Sequence, residues 1–333
     1  SVDFLEMPLL SKAEINDLID SKNIRVAKNE RSQLIDMCLG LSERQIIKLL
    51  KKFATEQDLA NILANKKELL AQQGLLEIID TKVTQGDIGG LGLLKHWLER
   101  KNQLLKKLQA PEFGSRIEKP KGVLIVGMPG CGKSLTAKAT ANIFSMPLLK
   151  LDMGQLMGRY VGESEKNLRQ ALAIASRTEP CILWIDEIEK GFAGIGGDQT
   201  GVATRLFGYF LTWLQENQSR VFVVATANDI TQLPPELLRK GRFDELFFVD
   251  FPNKSERKNI FEILQQKYQA HIQPNLDIDG LVNLTEGYSG ADIHAIFQQA
   301  FEDSILDNKK IDLTRFKVII NQTKSMKQNL GEK

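Results

Sequence analysis

Three unbroken apolar runs mark the middle of the chain: Val123–Val126, Cys181–Ile185 and the stretch from Val221 to Ala227, interrupted only by Thr226. Each is too short for a helix of ordinary length and fits a strand covered on both faces. Helical patterns separate them. Leu135 to Phe144 follows the first run, and near the C-terminus Ile293, Ile296, Phe297 and Ala300 recur at helical spacing. Strands are expected near 122–126, 148–151, 181–185, 221–226 and 246–249. Strands alternating with helices predict parallel βαβ units, hence an α/β fold.

Between the first run and its helix stands Gly127-Met-Pro-Gly-Cys-Gly-Lys-Ser134, which satisfies the phosphate-loop pattern G-x-x-x-x-G-K-S. Its glycines Gly127, Gly130 and Gly132 allow a tight turn that brings backbone N–H groups onto phosphate oxygens. The following helix N-terminus adds partial positive charge. Lys133 is placed to reach the β- and γ-phosphates, and Ser134 to offer a hydroxyl to Mg²⁺. The bland alternative, a glycine-rich turn that matches by chance, leaves the preceding strand and following helix unexplained.

The second run ends in Asp186-Glu187. In open α/β sheets ligands bind beyond the carboxyl ends of strands, so these acids are expected at the nucleotide. Asp186 is assigned to Mg²⁺, and Glu187 to polarising a water for attack on the γ-phosphorus. The alternative is a solvated acidic strand end. The third run ends in Asn228, a candidate for orienting that water; Asn before Asp229 also suits a simple turn.

Composition narrows the class. Hydrophobic residues are 42% and charged residues 26% of 333, as in ordinary globular proteins. A net charge of +2 does not indicate a broad grip on nucleic acid. Three scattered cysteines suit neither a disulfide framework nor a zinc site, and His96, His271 and His294 have no metal spacing. A reduced interior setting is expected, with no membrane span and no signal peptide. Because the chain begins with Ser, a fragment or processed product is expected.

Taken together the motifs resemble the AAA (AAA+) ATPases over about Asp87 to Leu306. Asp87-Ile88-Gly89-Gly-Leu91 resembles the family's entry motif, which packs on adenine. Asp186-Glu187 resembles its second nucleotide motif and Asn228 its sensor. Leu238 to Asp244 resembles the arginine-finger segment, and Gly287-Tyr-Ser-Gly290-Ala291-Asp-Ile293 a lid motif whose backbone approaches the nucleotide. The resemblance implies a P-loop NTPase core with a five-stranded parallel sheet at 87–252, a helical lid at 253–322 and a loose tail at 323–333. It implies ATP and Mg²⁺ as cofactors, with Pro129, Cys131 and Leu135 joining the loop residues at the nucleotide. It also implies a homo-oligomer, a hexamer when nucleotide is bound, in which Arg242 completes a neighbour's site; a surface salt bridge from Arg242 to Asp244 is the alternative. Tyr160, within Gly158-Arg-Tyr-Val-Gly162, falls where such rings carry a pore aromatic that grips polypeptide; packing at a subunit interface is the alternative. An unidentified protein substrate follows, in the cytoplasm or a plastid stroma.

This sequence departs from the commoner family pattern in two places. Glu245 stands where many members carry a second arginine, with Arg239 a candidate substitute. Cys131 replaces the usual Thr, and a thiol at a helix N-terminus is a candidate for an acidic, oxidisable group; a small side chain that simply fits is the simpler reading. A nucleotide-gated scaffold with low turnover and a nucleic-acid-remodelling ATPase stand as alternatives to a protein remodeller.

Residues 1–72 repeat the signals of the lid. Pro8 and Pro252 each follow a short apolar stretch and precede an amphipathic segment, and Gly40-Leu-Ser42 matches Gly287-Tyr-Ser289. An N-terminal helical segment is therefore expected to be the lid remnant of a preceding, truncated module, with residues 73–86 as linker; an unrelated helical domain is the alternative. This arrangement resembles a plastid and cyanobacterial subgroup with a degenerate front half and one intact ATPase.

Overall fold

A computed structural model describes residues 10–59, 61–62, 65–66, 68–69, 75–107, 118–156, 163–192, 201–323, 325 and 327–328. At its centre lies one six-stranded sheet, ordered β1-β3-β4-β5-β2-β6. The strands are β1 Leu76–Ile79, β2 Gly122–Gly127, β3 Leu148–Asp152, β4 Cys181–Asp186, β5 Val221–Ala227 and β6 Glu245–Val249. The last five pair in parallel, as the apolar runs predict. The sixth strand is a correction to the five-stranded expectation. The added strand, β1, lies within residues 73–86 and pairs antiparallel with β3, Leu76 opposite Leu151 and Ile78 opposite Leu149. Leu76 and Ile78 alternate with polar or half-covered positions, the pattern of an edge strand covered on one face.

Helices α4 Gly92–Lys107, α5 Lys133–Phe144, α6 Glu163–Arg177 and α7 Val202–Glu216 cover the sheet, leaving two apolar layers. In one layer Phe222 packs on Trp97 and Phe144, with ring centroids 6.3 and 4.8 Å apart. The C-terminal helices α8 Lys254–Tyr268, α9 Ile278–Leu284, α10 Gly290–Asp307 and α11 Leu313–Gln322 enclose a separate core around Phe261, Phe297 and Phe316. Among the described residues no helix is long and apolar enough to cross a membrane.

The N-terminal helices α1 Lys12–Ser21, α2 Lys28–Cys38 and α3 Glu43–Glu56 join the core of the opposite sheet face rather than standing apart. A Cβ at Gly40 would lie 2.5 Å from Thr178 Oγ1, so this turn is pressed against the end of α6. Their local geometry parallels the C-terminal helices. Ser11 N–H donates to Glu14 Oε2 at 2.7 Å, as Asn253 N–H does to Glu256 Oε2 at 3.0 Å. Ser42 N–H donates to Gln45 Oε1 at 2.9 Å, as Ser289 N–H does to Asp292 Oδ2 at 2.8 Å. These reciprocal caps satisfy helix-end donors at corresponding places. Gly40 and Gly287 have φ of 81° and 80°, and the closing residues Gln57 and Asn308 are both left-handed. The apolar stretch at residues 2–7 lies outside the described residues.

The docking surface buries an unusual group. Lys66 is 3% exposed, and its Nζ donates to the Asp36 carbonyl at 3.4 Å. Burial pushes its ammonium down to about 8, opposed by Cys38, Cys181 and Asp36. Cys38 and Cys181 are themselves pushed up to about 12 by burial, with Lys66 opposing. The unfolded chain therefore binds more protons at Lys66 between pH 8 and the ordinary value of 10.5. Its cost to folding is complete below pH 8 and fades as the pH rises through that window. The cysteines oppose this above pH 9 but are common to wild type and variant. Lys66→Met is expected to stabilise the fold at pH 7 by about 1–3 kcal/mol. Urea unfolding at pH 7 and 9.5 checks this; the gap between variant and wild type should narrow at the higher pH, and a constant gap would reject a buried ammonium.

Candidate active site

A cavity of ≈ 460 Å³ opens at the carboxyl ends of the strands, between the sheet and the C-terminal helices. Its floor is the phosphate loop. β2 runs between β5 and β6, and Val126 pairs with Ala227 on one side and Phe248 on the other. This central placement delivers Gly127 under the carbonyl of Val249, where a Cβ would come within 1.8 Å. Gly127 thus shapes the entry to the loop and does not line the cavity. Pro129, Gly130, Cys131, Gly132, Lys133, Ser134 and Leu135 do. Gly130 has φ 76°, a left-handed turn that lets its carbonyl accept from Ala291 N–H at 3.0 Å.

Lys133 is 7% exposed and donates through Nζ to the carbonyls of Gly127 at 2.6 Å and Met128 at 2.8 Å. Burial lowers its pKa, while Cys131, Glu189, Asp186 and Glu187 hold the proton on. Cys131 departs from the acidic-thiol possibility: burial pushes it up to about 11, with Lys133 only partly opposing. It stays a protonated thiol at neutral pH, so the simpler reading, a small side chain that fits, describes it.

Asp186 is held in place by its neighbours. Thr226 Oγ1 donates to Asp186 Oδ1 at 2.6 Å, and Ser134 Oγ donates to the same oxygen at 3.4 Å. Thr226 Oγ1 also accepts from Glu187 N–H at 3.2 Å, where the chain turns with a φ of 50° at Glu187. Thr226 was not singled out from sequence, although it is the lone polar position inside the third apolar run. Glu187 lines the cavity, and Asn228 Nδ2 donates to its Oε1 at 3.0 Å. Lys190 forms an ion pair with Glu187 Oε2. The bond to Lys190 first, and then that from Asn228, hold the Glu187 carboxyl below its usual range, against a burial effect that raises it. Glu189 is 4% exposed and accepts from Asn228 N–H at 3.0 Å, fixing the backbone there.

The far side of the cavity is apolar and comes from two parts of the chain. Ile88, Gly89 and Leu91 face Ile260, Ile263, Leu264, Gly290, Ala291 and His294. A Cβ at Gly89 would lie 2.3 Å from Ile260, so the Asp87 to Leu91 turn and α8 meet closely there. Leu91 N–H donates to Glu256 Oε1 at 3.2 Å. Asp87 borders the cavity, but its carboxylate accepts from Thr84 N–H at 2.6 Å and Thr84 Oγ1 at 2.7 Å, which lowers its pKa. Its evident work is to build the turn. His294, read from sequence only as lacking metal spacing, borders this apolar end, and burial lowers its pKa. Glu256 and Ile260 also escaped the sequence reading; the capping pair Asn253 and Glu256 was the available signal.

Arg242 stands apart from the cavity and donates to the Gln215 side chain. Asp244 is engaged elsewhere: it accepts from Lys121 N–H at 2.8 Å and Gly122 N–H at 3.0 Å, and pairs with Lys101 at 3.4 Å. Tyr160 lies outside the described residues.

The donor set fits a Mg-nucleotide. Ser134 and Asp186 supply two hard oxygens side by side, and the loop backbone and Lys133 supply the complementary charge for phosphates. Among the described residues no group of three or more His, Cys, Asp or Glu is placed to hold a metal alone.

This fold and site define a P-loop NTPase with a helical lid. The family model for the ATPase family associated with various cellular activities (AAA) matches residues 123–251. The chain belongs to that AAA family. It is similar to the uncharacterized AAA domain-containing protein ycf46 of Pyropia yezoensis, at 40% identity over 332 residues, 96% of this chain and 67% of that protein. The ycf46 protein of Guillardia theta is 39% identical over 321 residues, 93% of this chain and 63% of that protein. Cell division control protein 48 homolog C of Arabidopsis thaliana is 30% identical over 298 residues, 88% of this chain and 35% of that protein. The chain spans between 50% and 67% of the length of the ycf46 relatives.

Gly130→Val tests the loop geometry. A side chain there meets Ser289 Oγ at 2.8 Å and Ala291 Cβ at 2.9 Å, and φ is left-handed. Backbone strain of about 1–2 kcal/mol predicts roughly 10-fold weaker nucleotide binding. Titration with a fluorescent ATP analogue checks this, and an unchanged affinity would show that the loop relaxes freely.

Proposed function

We propose that the protein is a Mg-dependent ATPase that works as an oligomer and remodels a protein partner. The observation that carries the hydrolytic part is the convergence of Lys133, Ser134, Asp186, Glu187 and Asn228 in one cavity with an apolar base-sized end. Lys133 and the loop N–H groups hold the triphosphate. Ser134 and Asp186 hold Mg²⁺, which when bound neutralises charge on the phosphates. Glu187 takes a proton from the attacking water, and Asn228 orients it. Arg242, remote from the cavity of its own chain, is read as entering the cavity of a neighbour and stabilising the transferring phosphoryl group. A ring, hexameric with nucleotide bound, and a grip on polypeptide through Tyr160 complete this reading. The match to the AAA ATPase family model supports the hydrolytic part of this reading.

A nucleotide-gated scaffold with low turnover is the second reading, favoured by Glu245 at the start of β6 in place of a second arginine. Nucleic-acid remodelling has less support, given the net charge of +2. We read the N-terminal helices as a lid-type module of a preceding unit, on the strength of the paired caps and turns.

ATP turnover against protein concentration tests the proposal. Turnover per subunit should rise with concentration. Glu187→Gln should lower it by about 10²–10⁴-fold, and Arg242→Ala by about 10³–10⁵-fold at saturating protein. Tight ATP binding with negligible turnover at every concentration would favour the scaffold instead.

A further inference from the structure

The ion pair between Lys190 and Glu187 has no place in the chemistry above. Lys190 sits one helical turn beyond Glu187, in the short turn Ile188–Gly191 that continues β4. Both Glu187 oxygens are engaged: Oε2 by the Lys190 ammonium, and Oε1 by the Asn228 amide at 3.0 Å. A carboxylate held at both oxygens is poorly placed to accept a proton from water. The side chains are exposed by 63% for Lys190 and 42% for Glu187, so water reaches the pair and weakens it.

The surroundings supply a trigger. Asp186, Glu187 and Glu189 place three carboxylates beside two ammonium groups, Lys133 and Lys190, and all three carboxylates act on both ammonium groups. A divalent cation at Ser134 and Asp186 would deliver positive charge next to Glu187 in sequence. It would repel Lys190 and take over part of its electrostatic work.

Resting on the hydrolytic reading, we propose that Lys190 is a positioning residue that parks Glu187 and is displaced when the divalent cation binds. Lys190 and the cation then compete for one acidic cluster, although Lys190 is not a metal ligand. A ligand shifts such an equilibrium only through its differential interaction with the two states, and here that difference is charge repulsion.

The test uses the full chain, Lys190→Met, which keeps length without charge, and Lys190→Arg, which restores the cation. Mn²⁺ binding in the presence of ADP is followed by electron paramagnetic resonance, which needs no turnover. Lys190→Met should bind Mn²⁺ about 2–5-fold more tightly, the scale of an exposed ion pair. Its kcat should rise by a similar factor with KM for ATP unchanged, and Lys190→Arg should reverse both effects. Unchanged Mn²⁺ affinity in Lys190→Met overturns the proposal whether or not the protein hydrolyses ATP. A fall in kcat as deep as that of Glu187→Gln also overturns it, since Lys190 would then serve the chemistry. If wild type shows no turnover but Lys190→Met still tightens Mn²⁺, the competition stands and only the hydrolytic reading fails.

Discussion

The hydroxyl of Thr226 joins the parts of the cavity that must act together. β5 stands between β2, which carries the phosphate loop, and β4, which carries the acids. Adjacent strands lie about 4.8 Å apart, so the ends of β2 and β4 are separated by roughly 10 Å, a gap that Ser134 and Asp186 must close. Thr226 donates to Asp186 and accepts from Glu187 N–H, while Asn228 from the same strand end reaches Glu187. One strand end thereby fixes Asp186, the turn after it and Glu187. A valine of the same shape would fill the space but leave Glu187 N–H and Asp186 Oδ1 without that partner. A polar side chain is tolerated at this single buried position of β5 because its hydroxyl is doubly satisfied.

Among the described residues, several contacts that tie the lid to the core border the nucleotide cavity. Ala291 N–H donates to Gly130, Glu256 accepts from Leu91 N–H, and Ile260 closes over Gly89. Each involves a residue that borders the space for the base or the phosphates. The lid core around Phe297 is separate from the sheet cores, so its helices form one packed body. Ligand-dependent change in the loop therefore has a direct backbone route to α10, without any long chain of side chains.

Most of the central architecture was legible because its elements announce themselves locally. Buried parallel strands read as apolar runs, and the phosphate loop is a contiguous pattern. What escaped depends on contacts distant in sequence. β1 is only Leu76–Ile79, and its identity as a strand comes from pairing with β3 across about seventy residues of chain. Thr226 matters because of what lies on the adjacent strand. The charge state expected of Cys131 failed for a related reason: a helix N-terminus favours a thiolate, but burial beside that terminus costs more. Lys190 was invisible as a partner because an exposed lysine after two acids is ordinary composition; only the turn at Glu187 aims it back.

The position of the N-terminal helices bears on how the cavity and the rest of the molecule communicate. They pack where β4 begins, against Thr178 and near Cys181, whereas the acids stand where β4 ends. Six residues of parallel strand span about 20 Å. That strand is 0% exposed from Cys181 to Leu183 and again at Ile185, and paired on both sides, so it is among the least deformable parts of the fold. A module fixed at its start therefore serves as an anchor for the sheet rather than as a moving part. The C-terminal lid and the exposed side chains around Glu187 stand at the opposite end. The two sets of similar helices are thus placed differently: one is pressed into the sheet core, and the other keeps its own core and meets the sheet beside the cavity.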